Sequence, residues 1–343
     1  MSDTWEVVFS ERLGALTPAE TALADRYPAH VSLASLRTAD ELIAGAADAD
    51  ILVLGAVEPM TRAVIEALPR LKAIVRRGIG VDNVDLDAAT GHGIPVAFVP
   101  AATVEEVSDH ALALALSLAR EVPGIAAAVQ AGDIGSAAAL GNRTRQFSQT
   151  TLGVVGFGRI GRALARKAAS VFGTVIAADP MLVEGSTVEG VEIVALDELW
   201  RRADIISLHA PSLPGAGPLV DAASLAQMQP GVLLVNTARG QLIDEGALID
   251  AVRSGHVAGA ALDVTTDEPL PGSSPLFDHP GILLTGHTAS KGRLAAITLQ
   301  RSVIAAVEAL LDQRVPEHLA NPAVLESAHY RPPRAGDAKG NSA

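Results

Sequence analysis

The 343-residue chain carries 26 basic and 39 acidic residues, a net charge of −13, with 49 % hydrophobic residues. That composition excludes a disordered chain and disfavours nonspecific binding to nucleic acid or an anionic membrane. It contains no cysteine, which excludes disulfides, thiolate metal centres and a cysteine nucleophile.

At this length there is room for two domains, each with its own core, and aromatics at 3 % make that core aliphatic. The first residues, Met1-Ser2-Asp3-Thr4-Trp5-Glu6, lack the basic segment and apolar stretch of a signal peptide, so a cytoplasmic protein is expected. The longest apolar run, Ala111 to Ala119, is far short of the roughly 20 residues of a bilayer span, and no membrane segment is expected.

From Trp5 to Pro100 short apolar runs alternate with helical stretches, and Glu6 to Phe9, Ile51 to Leu54, Ala73 to Val75 and Pro95 to Val99 read as strands. Alternation of this kind predicts a parallel sheet with crossover helices. Thr103-Val104-Glu105-Glu106 matches a capping box and predicts the start of a long helix. Leu112, Leu114, Leu116 and Leu118 alternate as in a strand, but length, alanine content and the cap decide for helix. Being apolar nearly all round, that helix is expected to be buried between domains or subunits. Gly132 to Gly141 reads as a loose connection.

A second alternating set begins at Thr151. Its apolar runs, Thr151 to Val155, Val175 to Ala178, Asp204 to Leu208, Gly231 to Val235, Ala260 to Leu262 and Ile282 to Thr285, each deliver a polar or glycine-rich segment. Ligands of open parallel sheets sit beyond the carboxyl ends of the strands, so these segments line one predicted crevice. A last helix is predicted over Arg293 to Leu311, and the tail Arg331 to Ala343, rich in proline, glycine and charge, is expected to be disordered.

Gly156-Phe157-Gly158-Arg159-Ile160-Gly161 follows the first strand of this set and opens a helix, the context a dinucleotide-binding turn requires. Gly156 allows the tight turn, Gly158 the approach of backbone to pyrophosphate, and Gly161 the packing of helix on strand. Amides near Arg159 and Ile160 then face the phosphates at the positive helix end. Asp179 closes the second strand, where a carboxylate accepts from a ribose 2′-hydroxyl and repels a 2′-phosphate, so NAD is predicted over NADP.

Three further segments end strands: Asn236-Thr237-Ala238-Arg239-Gly240, Asp263-Val264-Thr265-Thr266-Asp267-Glu268-Pro269 and Thr285-Gly286-His287-Thr288-Ala289-Ser290. Together with Arg76-Arg77-Gly78-Ile79-Gly80-Val81-Asp82-Asn83 and Val104-Glu105-Glu106-Val107-Ser108-Asp109-His110, they resemble the signatures of the D-isomer-specific 2-hydroxyacid dehydrogenase family. The Arg76 and Val104 segments are most similar to its C-terminal-binding-protein-like branch.

The resemblance implies two Rossmann-like α/β domains: a flavodoxin-like substrate domain over residues 1–101 and 289–330, and an NAD-binding domain over 102–288. The return of the carboxyl terminus to the first domain comes from the resemblance alone. The implied reaction interconverts a D-2-hydroxy acid and its 2-oxo acid by hydride transfer with NAD, in a homodimer formed through the Thr103 helix region.

Arg239 supplies the planar fork that matches a substrate carboxylate. His287 exchanges the hydroxyl proton, since a histidine titrates ordinarily at about 6.5. Glu268 orients its ring and favours its charged form. The formate dehydrogenases of the superfamily have glutamine in place of Glu268, which steers the expectation to 2-hydroxy acids.

The amides of Ile79 and Gly80 are expected to hold the substrate carboxylate, Arg76 a second anionic group, and Asp263 the nicotinamide carboxamide. Val107, Pro180, His209, Ala210, Pro211, Thr237, Ala238 and Ser290 are expected to complete the cofactor pocket. His110 is expected to be a hydrogen-bonded interdomain residue, and no cluster has metal-ligand spacing. This chain departs from the family in having Gly286 where proline usually precedes the histidine, Thr265 and Thr266 where an aromatic and an acid are usual, and Ser290 where the branch commonly has tryptophan. An NAD-sensing binding protein without turnover is the alternative function.

Overall fold

The computed structural model describes residues 4–99, 103–213 and 215–330, and the tail from 331 onward lies outside them. The chain divides into two compact units, Met1–Thr103 with Gly292–Ala343, and Val104–Lys291.

The first unit has a five-stranded parallel sheet of β1 (Trp5–Ser10), β2 (Ala29–Ala34), β3 (Ile51–Leu54), β4 (Ala73–Arg76) and β5 (Val96–Phe98), in the order β2-β1-β3-β4-β5. That is the flavodoxin-like order. β2 was not among the expected strands. It is an edge strand, Ala29-His30-Val31-Ser32-Leu33-Ala34, with no buried residue, so it lacks the continuous apolar run that marks β3 and β4.

The Arg293–Leu311 helix is long and apolar enough, by length and composition, to cross a membrane, with a mean hydropathy of 1.6. It is longer than the Ala111 to Ala119 run. Here Val303, Val307, Leu310 and Leu311 of the longer helix pack on Val7, Phe9, Ile51, Val53 and Val75 of the sheet.

The second unit holds an eight-stranded sheet, ordered β13-β12-β11-β10-β6-β7-β9-β8. Its strands are β6 (Thr151–Val155), β7 (Thr174–Ala178), β8 (Thr187–Val188), β9 (Val191–Ile193), β10 (Ile205–Leu208), β11 (Val232–Asn236), β12 (Val257–Leu262) and β13 (Ile282–Leu284). All neighbours are parallel except β8 against β9. The short β8 and β9 had no apolar run long enough to predict.

β6 lies between β7 and β10, so the sheet grows in one direction and then reverses at β6. Successive strand residues face opposite sides: Leu152, Val154, Ile205 and Leu233 enter one core, Ile206, Leu208 and Leu234 the other. Each such side chain contributes about 1.5–3 kcal/mol on full burial.

In the Val104–Ala119 helix Val107, Ala111, Leu114, Ala115 and Ala119 are buried, while Leu112, Leu116 and Leu118 are partly covered and Ala113 is exposed. It covers a face of its own unit's sheet, in a core with Leu152, Leu233 and Val235.

Gly132 to Gly141 is not a loose connection. Asp133 caps a helix over Ile134–Gly141, accepting from the Ser136 amide at 2.9 Å, and the helix pairs with another over Val122–Gln130. Two glycines and a serine obscured the helix former Ala137-Ala138-Ala139-Leu140.

Candidate functional site

The turn after β6 uses its three glycines for three different reasons. Gly156 has φ +88°, and a Cβ there would lie 2.6 Å from the Ala210 amide nitrogen and 2.7 Å from the His209 carbonyl carbon. A Cβ at Gly161 would lie 2.2 Å from the carbonyl oxygen of Gly156, so the helix sits directly on the turn. At Gly158, by contrast, a Cβ would meet no atom within 4 Å.

The Arg159–Ala168 helix starts at Gly158 with no side chain capping it, which leaves the amides of its first turn, near Arg159 and Ile160, without that partner. Beside the turn is a groove of about 390 Å³ lined by Phe157, Gly158, Arg159, Arg162, Asp179, Met181 and Leu182. Asp179 is held at its rim: Oδ2 accepts from the Phe157 amide at 2.7 Å and Oδ1 from the Met181 amide at 2.9 Å. Pro180 follows it, exposed.

On the other side of the reversal point, His209 follows β10. Its backbone amide donates to Val155 at 2.7 Å, and its Nε2 lies 2.9 Å from the Ser207 hydroxyl. Burial pushes this imidazole down to about 4, so it is neutral near pH 7. Ala210 is half-buried and Pro211 exposed.

After β11 the buried Asn236 clamps the next turn, its Nδ2 donating to the Arg239 carbonyl at 2.8 Å and its Oδ1 accepting from the Ala238 amide at 3.0 Å. Thr237 is 8 % exposed, and its hydroxyl has no hydrogen-bond partner among the described residues. Arg239 is half-buried, with Nη1 donating to the Ala238 carbonyl at 2.6 Å.

A Cβ on Gly240 would come within 2.0 Å of the Thr265 carbonyl carbon, so the arginine's turn lies in backbone contact with the loop that carries Glu268. In that loop the Thr265 amide donates to Glu268 Oε1 at 3.3 Å, and the Thr266 amide to Glu245 at 2.7 Å. Glu268 Oε2 then meets His287 Nδ1 at 2.6 Å, with the two side chains 27 % and 40 % exposed.

His287 itself has φ +56° and follows Gly286 at φ +59°. Two consecutive left-handed residues explain the missing proline, whose ring fixes φ near −65°. The loop is fastened by Asp263, 2 % exposed, at the end of β12. Its carboxylate accepts from the Thr285 hydroxyl at 2.6 Å and from the amides of Thr288 and Ala289 at 2.8 and 3.0 Å, and its carbonyl accepts from the His287 amide at 2.5 Å. Most of the acceptor capacity of this carboxylate is therefore spent inside the protein.

Val107 is buried in the Val104–Ala119 helix and Ser290 is half-buried at the end of the His287 loop. His110 Nε2 lies 3.0 Å from the Thr285 hydroxyl, within the same unit. Asn236, Ser207 and Thr285 were given no role from sequence. Asn236 stands in the Asn-Thr-Ala-Arg segment and could have been found there; Ser207 and Thr285 look like ordinary strand-end residues.

In the other unit, Arg76 ends β4 and is 5 % exposed, its Nη1 donating to the Arg77 carbonyl at 2.6 Å. Arg77 is more open and donates to the Leu13 carbonyl at 3.2 Å. Gly78 has φ +147°, and Ile79 and Gly80 continue the turn half-buried. Among the described residues, no group of histidine, aspartate and glutamate is arranged to hold a metal ion.

The groove, the open space at Gly158 and the unpartnered Thr237 hydroxyl fit a dinucleotide. Residues 112–289 match the family model described as D-isomer specific 2-hydroxyacid dehydrogenase, NAD binding domain. The chain is 41 % identical over 225 residues to a D-3-phosphoglycerate dehydrogenase of Mycobacterium tuberculosis, covering 65 % of this chain and 42 % of that protein. It is 36 % identical over 245 residues to the enzyme so named in Bacillus subtilis, covering 71 % and 46 %. It therefore spans less than half the length of these relatives.

Among solved structures it is similar to a protein of Thermus thermophilus (TM-score 0.80, 32 % identity, 92 % of this chain and 99 % of that one). It is also similar to the NAD-dependent formate dehydrogenase of Staphylococcus aureus in complex with NAD (TM-score 0.80, 27 % identity, 90 % and 96 %).

Proposed function

We infer the activity of this chain from its place in the D-isomer specific 2-hydroxyacid dehydrogenase family, to which it belongs. It binds NAD in the Val104–Lys291 unit and, in our proposal, interconverts a D-2-hydroxy acid and its 2-oxo acid. The observation that carries this reading is the 2.6 Å contact between Glu268 and His287 on a loop adjoining the turn of Arg239.

When bound, NAD supplies the hydride acceptor and, reduced, the donor. Gly158 with the amides of the first helical turn, which no side chain caps, would hold its pyrophosphate, Asp179 the ribose hydroxyls, and the cofactor would offer the Thr237 hydroxyl the partner it lacks among the described residues. Val107, Pro180, His209, Ala210, Pro211, Ala238, Asp263 and Ser290 would complete the pocket.

Arg239 then binds the substrate carboxylate through two parallel N–H donors and fixes the reacting carbon. Glu268 accepts from Nδ1 of His287, which directs Nε2 toward the substrate oxygen. His287 takes the hydroxyl proton as the alcohol is oxidised and returns it to the oxo group on reduction. In the other unit the turn of Ile79 and Gly80 is proposed to bind carboxylate through its amides, and Arg76 with Arg77 to provide cationic charge for a second anionic group.

The phosphorylated oxo acids belong among the candidate substrates because the relatives above are named D-3-phosphoglycerate dehydrogenases. The Arg76 to Asn83 and Val104 to Val107 segments support the C-terminal-binding-protein-like branch. We also propose a homodimer. Its contact is proposed in the Thr103 helix region, where Ala113 is exposed and, on the helical pair that follows, Val122, Val129 and Ile134 are 53 %, 50 % and 64 % exposed.

The test is NADH oxidation, followed by absorbance, with glyoxylate, pyruvate, hydroxypyruvate, phosphorylated and branched 2-oxo acids, beside His287→Ala. Turnover of one of them that is lost in His287→Ala supports the assignment and names the substrate class. Tight NADH binding with no turnover across the panel refutes it in favour of an NAD-sensing protein.

A further inference from the structure

We propose that His110 is a positioning residue for the His287 loop, acting through Thr285 and Asp263. This rests on the reading of His287 as the acid–base group. The direction of each hydrogen bond follows from its neighbours.

The Thr285 hydroxyl has one proton, and at 2.6 Å it goes to the charged Oδ1 of Asp263. The remaining lone pairs of that hydroxyl can only accept, so the contact of 3.0 Å with His110 Nε2 requires that this nitrogen carry the hydrogen. The same nitrogen is 3.6 Å from Asp263 Oδ1. A chain of donors thus runs from His110 to Thr285 to Asp263, and Asp263 in turn receives the amides of Thr288 and Ala289 on its carboxylate and of His287 on its carbonyl.

The two ends of this chain differ in rigidity. His110 stands on the Val104–Ala119 helix, anchored by Ala111, Leu114 and Ala115 in the core. The receiving loop has no helix or strand between Thr285 and Gly292, and its left-handed His287 costs about 1 kcal/mol unless neighbours hold it. The fixed helix therefore sets the rotamer of Thr285, Thr285 sets the plane of the Asp263 carboxylate, and that carboxylate sets the loop bearing His287. The His110 side chain is 27 % exposed, so replacing it does not open a sealed core.

The test compares His110→Leu, His110→Gln, His110→Asn and Thr285→Val, and the double variant of His110→Leu with Thr285→Val. Glutamine brings an amide donor close to the position of Nε2; leucine has none, and asparagine falls short. His110→Leu is expected to lower kcat by ~10-fold with KM for the oxo acid changed less than ~2-fold, Gln to recover most of it and Asn little. Thr285→Val matches the leucine loss, and the double variant is no worse than either single one, the signature of a shared chain.

A second readout needs no turnover: the ring resonances of His287 in labelled protein move in His110→Leu and return in His110→Gln. Equal kcat in the Leu and Gln variants, additive losses in the double variant, or unmoved His287 resonances in the leucine variant would overturn the proposal. Should the wild type turn over no 2-oxo acid, the resonances still decide the positioning role while the dehydrogenase reading fails by itself.

Discussion

Alanine at Gly158 and alanine at Gly161, three residues apart in one turn, should have opposite consequences. Gly158 has φ −77° and ψ −157°, a conformation that alanine adopts freely, and its Cβ would project into open space. Its effect on the stability of the free protein is therefore neutral or a gain of about 0.5 kcal/mol from the stiffer unfolded chain. That methyl occupies the space a pyrophosphate approaches, and the expected cost is at least a ~10-fold rise in the Kd for NADH, equivalent to about 1.4 kcal/mol.

Gly161 lies in the helix, where alanine would by propensity gain about 1 kcal/mol. Against that, its Cβ would stand 2.2 Å from the Gly156 carbonyl oxygen, a backbone atom in a turn that cannot yield independently. At so short a distance from a backbone atom the overpacking cost is expected at the upper end of its range, about 3 kcal/mol or more, so net destabilisation of about 2 kcal/mol or more is expected. Urea unfolding of the free proteins gives the first quantity, and quenching of intrinsic fluorescence by NADH the second. A Gly158→Ala protein of wild-type stability that binds NADH as well as the wild type would refute the placement of the dinucleotide. A Gly161→Ala protein as stable as the wild type would refute the packing argument.

The half-buried His209 supplies a pH dependence. Its folded value of about 4 lies below the roughly 6.5 of the unfolded chain, so the unfolded state binds the extra proton between those values and stability falls as pH drops through that window, by up to about 3 kcal/mol. The difference in urea midpoint between the wild type and His209→Gln should therefore change between pH 7 and pH 4, and a constant difference would contradict it. Gly286→Pro cannot keep φ +59° and should cost more than about 1 kcal/mol while separating His287 from Glu268, seen as a lower Tm and a lower kcat; wild-type values for both would show that the left-handed turn is dispensable. Arg77→Ala should lower kcat/KM for a dianionic 2-oxo acid by ~10-fold and leave a monoanionic one within ~2-fold, whereas Arg76→Ala, at a site 5 % exposed, should first lower Tm. Equal losses on both substrates in Arg77→Ala would remove the second-anion role.

Much of this protein was legible in the sequence because strands covered on both faces need continuous apolar runs. Ile51 to Leu54 and Val232 to Val235 announced themselves in that way, and the polar residues that follow the runs had to emerge at one edge of a parallel sheet. The glycine turn was legible because its spacing recurs where a strand meets a helix; packing within the protein demands glycine at Gly156 and Gly161, while at Gly158 only the space beyond the backbone does. Elements whose burial is one-sided or slight were not: the edge strand Ala29–Ala34, the two-residue β8, and the Ile134–Gly141 helix, which buries only Ala137.

The site divides along the same line. Arg239, Glu268 and His287 were nominated by residue type and by resemblance, since neither periodicity nor composition can bring positions 19 apart to 2.6 Å. Only the tertiary structure revealed that Asp263 is committed chiefly to the Thr285 hydroxyl and the amides of Thr288 and Ala289, and that Gly286 replaces proline because the chain turns left-handed there. Apolar patterning is a property of each segment by itself and can be read along the chain. The partner of a hydrogen bond and the sign of φ in a loop are decided by what folding places beside it.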